Sequence, residues 1–371
     1  MSDYDTVEIL FSAGSASDEE FASVYDSIFK NSLLELYIYE DIWTDGANLE
    51  IKSIKLTVEG ANISTRDVAS RSDRIDGASE GDSGSLTLYA PNLNIKSSSG
   101  IYTHSDNDAY ASGDLELTAN GSLDDITSGF VQVPLFPADI TITDAKVDIK
   151  DSIIKAGNIL IDVLSDSSDL YDDSETQGAY DEAVQEFFGS ISMGAGVALS
   201  EATADLLVSG SSIEGDNIDF YANAQTDAEA IVLTYYAAVA YGHSTPTANI
   251  DISNGSQIKA DGYLNMDTFA ESDMSVSAQQ ALFGISNTVE KVNVTIAITY
   301  SNLISKINVS SNSSIESTGS TILNAYAYKS HDNGSSAAAN GDGTLASPSI
   351  SPSASSMWMR SSTEIPWSGA T

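Results

Sequence analysis

Residues 248–266 read ANIDISNGSQIKADGYLNM, and this stretch decides the fold. Apolar and polar residues alternate on both sides of a Ser/Asn/Gly turn, and a second turn ends at Gly262. Alternation with a period of two is typical of a β-strand that buries one face. A glycine in front of a strand indicates a corner where the backbone needs a positive φ or a close approach to its neighbour. The stretch therefore predicts short strands joined by tight corners.

The same pattern recurs along the chain as a Gly or Asp, one or two polar residues, and then apolar residues at alternate positions. The copies begin at Gly84, Gly113, Gly157, Asp216, Gly262 and, less regularly, Gly319. In the second half, a strand of small residues, a β-branched strand and a Ser-rich corner precede the glycine. Gly215, Gly262 and Gly319 are 47 and 57 residues apart. We expect each interval to hold two or three coils of about 20 residues.

These repeats predict an all-β protein, a right-handed parallel β-helix (β-solenoid) with short helical insertions. One alternating strand cannot fold alone, whereas stacked coils bury the inward Ile, Leu, Val and Ala and pair the backbone in parallel ladders. Chain chirality favours right-handed winding. The outward positions then carry Asp, Asn, Ser, Thr and Tyr. On this interpretation the solenoid repeats occupy residues 46–334.

Three segments depart from the repeat. Residues 18–29 and residues near 177–190 have apolar side chains at helical spacing, which predicts short amphipathic helices inserted between coils. The first helix lies in an N-terminal segment, residues 1–45, which is a candidate cap. Residues 335–371 are rich in Ser, Ala, Gly and Pro, which predicts a linker or an incomplete coil.

The composition sets limits on the partners of this chain. Its 54 acidic residues outnumber its 15 basic ones, which gives a net charge of −39. A surface this negative repels nucleic acid and anionic lipids, and it attracts divalent cations. A hydrophobic content of 42% is sufficient for a real core. There is no cysteine, which excludes disulfides, thiolate zinc sites and a cysteine nucleophile.

The ends of the chain and its apolar runs bear on location. No apolar run reaches 18 residues, so we predict no membrane insertion. The acidic N-terminus, Met1 to Asp5, has no basic-then-apolar secretion signal. If the protein is exported, its signal lies outside this chain. We therefore expect this chain to be a piece of a longer protein.

The three histidines, His104, His243 and His331, offer no catalytic pattern. No two of them share a metal-ligand spacing, and polar neighbours predict surface positions for them. The sequence Gly81-Asp-Ser83-Gly only superficially resembles the loop of a serine nucleophile, and a corner turn explains it better. The sequence therefore predicts neither a catalytic residue nor an enzyme.

The cations are scattered, apart from one tight group at Arg66, Arg71 and Arg74. Acidic residues lie beside them, so we expect an ion-paired, solvated loop. Some β-helices are polysaccharide lyases or hydrolases, and these need clustered Asp, Arg or Lys on one outer face. A carbohydrate-active β-helix therefore stays open as the alternative to a structural role.

Calcium is the one cofactor that the sequence suggests. Asp166, Asp169, Asp172 and Asp173 offer hard oxygen ligands at short spacing. They do not match the ligand pattern of an EF-hand loop, and a solvated turn is the competing interpretation. We predict a weak calcium site at these four residues and no bound organic cofactor.

One long repeat resembles the degenerate repeats of giant bacterial surface proteins, at residues 237–242, 247–252 and 255–262. These proteins are the filamentous-haemagglutinin-like and leukotoxin-like exoproteins and related large adhesins. The resemblance covers residues 140–330 well and residues 46–120 loosely. It implies a secreted or cell-surface β-helical stalk, and it transfers no catalytic residue. The expected partners are other coils of a longer parent protein and a surface receptor or polysaccharide on a host or neighbouring cell.

Overall fold

The computed structural model of the chain describes residues 35–121, 131–133, 136–167, 193–234, 237–280, 294–310, 312–329, 334–338 and 353–364. Within these ranges the chain is all-β, with 24 strands and a single turn of 3-10 helix at Arg71–Asp73. The strands form three sheets, which we call A, B and C. The two predicted helices, at residues 18–29 and near 177–190, lie outside the described residues.

The strands of each sheet are as follows. Sheet A contains β1 (Glu35–Ile38), β4 (Lys55–Glu59), β7 (Asn92–Lys96), β10 (Val131–Val133), β11 (Phe136–Lys150), β14 (Met193–Ser209), β17 (Ala237–Ser253), β20 (Val294–Val309) and β24 (Ser353–Glu364). Sheet B contains β2 (Ile42–Trp43), β5 (Asn62–Ser64), β8 (Gly100–Tyr102), β12 (Ile153–Lys155), β15 (Ser212–Gly215), β18 (Gln257–Ala260) and β21 (Ser314–Ser317). Sheet C contains β3 (Leu49–Lys52), β6 (Leu86–Tyr89), β9 (Leu115–Asn120), β13 (Ile159–Asp166), β16 (Ile218–Thr234), β19 (Leu264–Gln280), β22 (Thr321–Lys329) and β23 (Gly334–Ala338).

The chain visits sheets A, B and C in turn, and we call each such set of three strands a coil. Coils 1 to 7 are β1–β3, β4–β6, β7–β9, β11–β13, β14–β16, β17–β19 and β20–β22. Each strand pairs in parallel with its counterpart in the next coil, and β10 alone among the described strands is antiparallel. The prediction of a parallel all-β fold is confirmed, and the strand order is consistent with a β-helix.

Alternation along each strand builds one continuous core. In sheet C, Leu115 pairs with Ile159 and Ile159 with Ile218, so identical positions stack from coil to coil. The resulting apolar cluster runs from Leu36 to Val309. Because each buried aliphatic side chain contributes about 1.5–3 kcal/mol, the stacked Ile, Leu and Val rows dominate the stability of the fold.

The corner between sheets B and C contains the repeat glycines. A Cβ at Gly113 would lie 1.9 Å from the carbonyl oxygen of Gly84 in the preceding coil. The N–H of Gly157 in turn donates to the carbonyl oxygen of Gly113 at 2.9 Å. In coils 2 to 6, positive φ angles occur instead at the corner between sheets A and B, for instance 62° at Gly210 and 56° at Asn254. Close approach of stacked backbones, not φ, therefore requires glycine in the repeat.

Buried serines line the inside of the corner between sheets A and B. They occupy equivalent places in coils 3 to 7, at Ser99, Ser152, Ser211, Ser256 and Ser313. The hydroxyl of Ser211 donates to the carbonyl oxygen of Ser209 at 2.9 Å and contacts that of Ile149, one coil earlier, at 3.3 Å. This column satisfies backbone carbonyls where the chain turns, and the Ser-rich corner of the sequence is its signature.

In coils 5 to 7 the strands of sheets A and C continue far beyond sheet B. Strands β14, β16, β17 and β19 each contain 17 residues, and β15 and β18 contain four. The extended parts of sheets A and C contact each other. We call this two-layer region the wing; it comprises residues 193–200, 226–234, 237–244, 272–280 and 294–301.

The wing corrects the expected number of coils. Ile218 pairs with Leu264, so the 47 residues between Gly215 and Gly262 form a single coil, and the expectation of two or three coils per interval is wrong. The small-residue strand and the β-branched strand of each long repeat are one continuous strand. A change of composition within that strand marks the point at which the facing sheets come closer together.

Paired strands extend from Glu35 to Glu364, on both sides of the predicted boundaries of the solenoid at residues 46 and 334. The division into an N-terminal segment, solenoid and C-terminal linker stays a prediction.

Candidate functional site

Two inserted loops distinguish coils 2 and 3. They connect sheets B and C over residues 65–85 and 103–114, whereas two residues make the same connection in coil 5. The buried side chain of Arg66 joins the two loops. Its Nε donates to the carbonyl oxygen of His104 at 3.1 Å, Nη2 donates to that of Gly77 at 2.7 Å, and the guanidinium forms an ion pair with Asp106.

Arg66 and Arg74 are ion-paired, as expected, but the expectation that the arginine group is solvated is wrong for Arg66. Arg66 is fully buried, because its rigid fork of five N–H donors can bind several loop carbonyls at once. Arg74 forms an ion pair with Asp41 in coil 1. The side chain of Arg71 lies outside the described residues. Arg66 and Arg74 thus hold loops together rather than standing free on an outer face.

The structure does not bring His104 and His243 together. His104 Nε2 lies 2.9 Å from Asp106 Oδ1, and burial, with the nearby charge of Arg66, lowers the pKa of His104. His243 is in sheet A of coil 6, where its ring stacks on Tyr300 with centroids 4.9 Å apart. His331 lies outside the described residues. Throughout the described ranges, no three His, Asp or Glu side chains come close enough to hold a metal ion.

The predicted calcium site is only partly visible. Asp166 ends β13, and its register neighbours in the next two coils are Gln225 and Glu271. Burial, together with the charges of Asp273 and Asp166, raises the pKa of Glu271. A cation near Asp166 would relieve this repulsion. Asp169, Asp172 and Asp173 lie outside the described residues, so the calcium site stays a prediction.

The outer face of sheet C carries an ordered polar network in coils 5 and 6. Asp219 accepts hydrogen bonds from the hydroxyls of Tyr221 at 3.2 Å and Tyr263 at 2.8 Å. Asn265 Nδ2 donates to the hydroxyl of Tyr221 at 3.2 Å and to Asp267 Oδ2 at 2.9 Å. These side chains meet because alternate residues of β16 and β19 point outward and the strands are in register.

The network continues into coil 7 and borders aromatic rings. Asn324 Nδ2 donates to Asp267 Oδ1 at 2.6 Å. On the same strand, Tyr326 and Tyr328 are 55% and 44% exposed, and Tyr326 pairs in register with Phe269 of coil 6. We call this surface the sheet C face; it comprises Asp219, Tyr221, Tyr263, Asn265, Asp267, Phe269, Asn324, Tyr326 and Tyr328.

The sheet C face combines aromatic rings with fixed hydrogen-bonding groups, the usual composition of a recognition surface. The sequence predicts Asp, Asn and Tyr at outward positions but does not single out these residues. Their signal is the outward half of the glycine-led repeat, in which Asp219 and Tyr221 of one copy stack on Asn265 and Asp267 of the next.

A second outward cluster lies at the other end of sheet C. Glu50, Lys52, Tyr89 and Glu116 line a shallow groove across coils 1 to 3. Lys52 Nζ lies 2.9 Å from Glu50 and 6.0 Å from the centre of the Tyr89 ring. This cluster contains a paired cation, whereas the sheet C face contains carboxylates bonded to amides and phenols.

Comparison of the chain with known protein families, curated proteins and solved structures finds no match. Within the part of the chain that the structure describes, no helix has the length and apolarity needed to cross a membrane.

Proposed function

We propose that this chain is a structural and adhesive segment of a large bacterial cell-surface or secreted protein. In this proposal the three sheets close into a right-handed parallel β-solenoid, which acts as a stalk and presents loops and faces to a partner. The partner is a receptor or polysaccharide on a host or neighbouring cell. The stalk is continued by other coils of a longer parent protein, and the chain works outside the cell.

The observation that carries the proposal is the unbroken register of the three sheets from coil to coil. Stacked strands add about 4.8 Å per coil, so the seven coils extend about 34 Å along the stacking direction. The apolar rows face inward throughout, and the polar outward rows keep the faces soluble. Because each coil contacts only its neighbours, further coils can be added without altering the existing ones, as a stalk requires.

Two further features support presentation to a partner. The loops at residues 65–85 and 103–114 project from a corner that is otherwise tight, and Arg66 makes many bonds to hold them. Such fixed loops on a rigid scaffold are typical of recognition sites. The resemblance to large exoprotein repeats points in the same direction.

Protease shaving of intact cells of the source organism tests the location. Peptides of this chain are expected among those released from intact cells by a brief protease treatment. A cytoplasmic protein of similar abundance serves as the lysis control. Recovery of these peptides only after cell lysis would contradict the proposal.

A high-resolution structure of the isolated chain tests the finer fold. We expect sheets A, B and C to enclose one core with right-handed winding. A left-handed path, or an open stack in which sheet B stands apart from the other two, would contradict the solenoid.

A further inference from the structure

The sheet C face presents aromatic rings at regular intervals. Tyr326 and Tyr328 are alternate residues of one strand, about 6.8 Å apart, and Phe269 lies one strand, about 4.8 Å, from Tyr326. Tyr326 and Tyr328 are also two of the most exposed aromatic side chains in the described residues. Rings arranged in this way offer flat apolar surfaces on which the C–H faces of sugar rings can pack.

The polar groups beside the rings are already held in place. Asp219 and Asp267 each accept two hydrogen bonds from side chains of the same face. A carboxylate has about four acceptor positions, so each retains capacity for a ligand hydroxyl. Because the network fixes these acceptors before any ligand arrives, binding loses little side-chain entropy. Asp219 lies beside the exposed ring of Tyr263, and Asp267 lies one coil and two residues from Tyr326, so the face matches the mixed polar and apolar surface of a glycan of several sugars.

We propose that the sheet C face binds a neutral glycan, with sugar rings stacked on Tyr326 and Tyr328 and hydroxyls bonded to Asp219 and Asp267. This inference rests on the proposed adhesive function and names the chemical class of the partner and the face that receives it.

The charge of the face selects among glycans. From coil 4 to coil 7, the outward side chains that the structure describes on sheet C include carboxylates and no Lys or Arg. Sulfated glycans and polyuronates are therefore repelled, and the net charge of −39 extends that repulsion beyond the face. A basic peptide is the competing partner. The exposed rings of Tyr326 and Tyr328 favour the glycan, because they offer apolar faces to sugar C–H groups, whereas the carboxylates accept hydrogen bonds from either partner.

A printed array of neutral glycans, covering hexose, N-acetylhexosamine and pentose units, tests this inference with the full chain. Affinity electrophoresis through the matching soluble polysaccharide then measures affinity. The test variant is Tyr326→Ala with Tyr328→Ala. The matched control is Tyr37→Ala with Tyr39→Ala, since these two tyrosines are 43% and 59% exposed at the first coil, away from sheet C.

The wild type and the control variant are expected to bind at least one neutral class. The affinity of the test variant should fall by about tenfold or more. Its melting temperature should stay unchanged, because only exposed rings are removed. In a second variant, Asp219→Asn with Asp267→Asn, binding should also weaken, because a carboxamide loses acceptor positions.

The inference is overturned if no neutral glycan on the array binds, or if the test variant binds as well as the wild type. Binding of polylysine alone, abolished by salt, would overturn it in favour of a basic partner. None of these outcomes decides the proposed adhesive function, because protease shaving tests that independently of any ligand.

Discussion

Two regions of the molecule use opposite kinds of side chain. One is the part of each coil that all three sheets border, and the other is the wing. Near sheet B, the inward positions of coils 5 and 6 carry large residues such as Leu206, Phe220 and Ile250. In the wing, where sheets A and C face each other alone, the second apolar cluster consists mainly of alanine, at Ala198, Ala228, Ala240, Ala278 and Ala297, with Met274 and Val276.

Buried hydroxyl groups separate the two clusters. Ser244 lies 2.6 Å from Thr226 and 2.6 Å from Ser272, and Ser272 lies 3.3 Å from Ser301. The comparison teaches that the distance between facing sheets sets residue size. Where residues of sheet B join the core, large apolar side chains fill the space. Beyond it the sheets approach, and small residues with paired hydroxyls fill the gap.

Phe220→Ala should have the largest effect, because this side chain is fully buried in the region bordered by three sheets. Loss of the ring and the cavity left behind should cost about 3–5 kcal/mol of the free energy of unfolding, measured by urea denaturation. Asn223→Ala, at an outward position of the same strand, is the control and should cost less than about 0.5 kcal/mol. Equal costs for the two variants would show that this region is not a packed core.

Gly242→Val tests the closeness of the sheets in the wing. A Cβ at Gly242 would lie 2.4 Å from Val276 Cγ2 and 2.7 Å from Met274 Sδ. Overpacking should cost about 1–3 kcal/mol. Hydrogen exchange should rise across β17 and β19 in the wing and stay unchanged near sheet B. Thr245→Val, which points outward on the same strand, is the control. A tolerated valine would mean that the wing is wider than the structure shows.

Calcium should act at the end of β13, where Asp166 lies beside its register neighbour Gln225 on the outer face of sheet C. Calcium at ten times its dissociation constant should add about 1.4 kcal/mol of stability and raise the melting temperature. The rise should disappear in the variant Asp166→Asn with Asp169→Asn. An unchanged melting temperature of the wild type in calcium counts against the site.

Ser244→Ala removes the hydroxyl that links Thr226 to Ser272. Thr226 keeps its bond to the carbonyl oxygen of Glu271 at 3.2 Å, so the loss should be modest, about 0.5–1.5 kcal/mol. Amide hydrogen exchange in the wing measures this loss of stability. Ser275→Ala, on the exposed surface, is the control. If both variants exchange alike, the buried hydroxyls do not stabilise the wing.

The smallest effect is expected at Asp205, which faces outward on sheet A. Burial raises its pKa above the ordinary 3.8, so the folded state disfavours the charged form. The stability that protonated Asp205 contributes below pH 3.8 is lost as the pH rises through the pKa of Asp205 in the folded state. Asp205→Asn should therefore melt about 1–2 °C higher than the wild type at pH 7, and the gap should shrink toward pH 4. A gap that is independent of pH, or matched by the exposed Asp108→Asn, would refute this cause.

Much of the fold could be predicted from the sequence, because alternation and corner glycines are local signals. They predicted parallel strands, the stacked apolar rows and the corner at Gly262. The number of coils per interval was wrong, because alternation continues unchanged from the three-sheet region into the wing and the change from small to β-branched residues was interpreted as a boundary between two strands. The burial of Arg66 was also missed, because its partners His104 and Asp106 are about 40 residues away in sequence.

The candidate site was only partly predictable for the same reason. Outward Asp, Asn and Tyr were expected as a class, yet the sheet C face exists only because register places Asp219, Asn265 and Asn324 on neighbouring coils. Sequence alone determined which residues face inward, because a strand turns each successive side chain to the opposite face. Tertiary structure decided which of them meet, because contact between strands 46 or more residues apart depends on the length of every corner and loop between them.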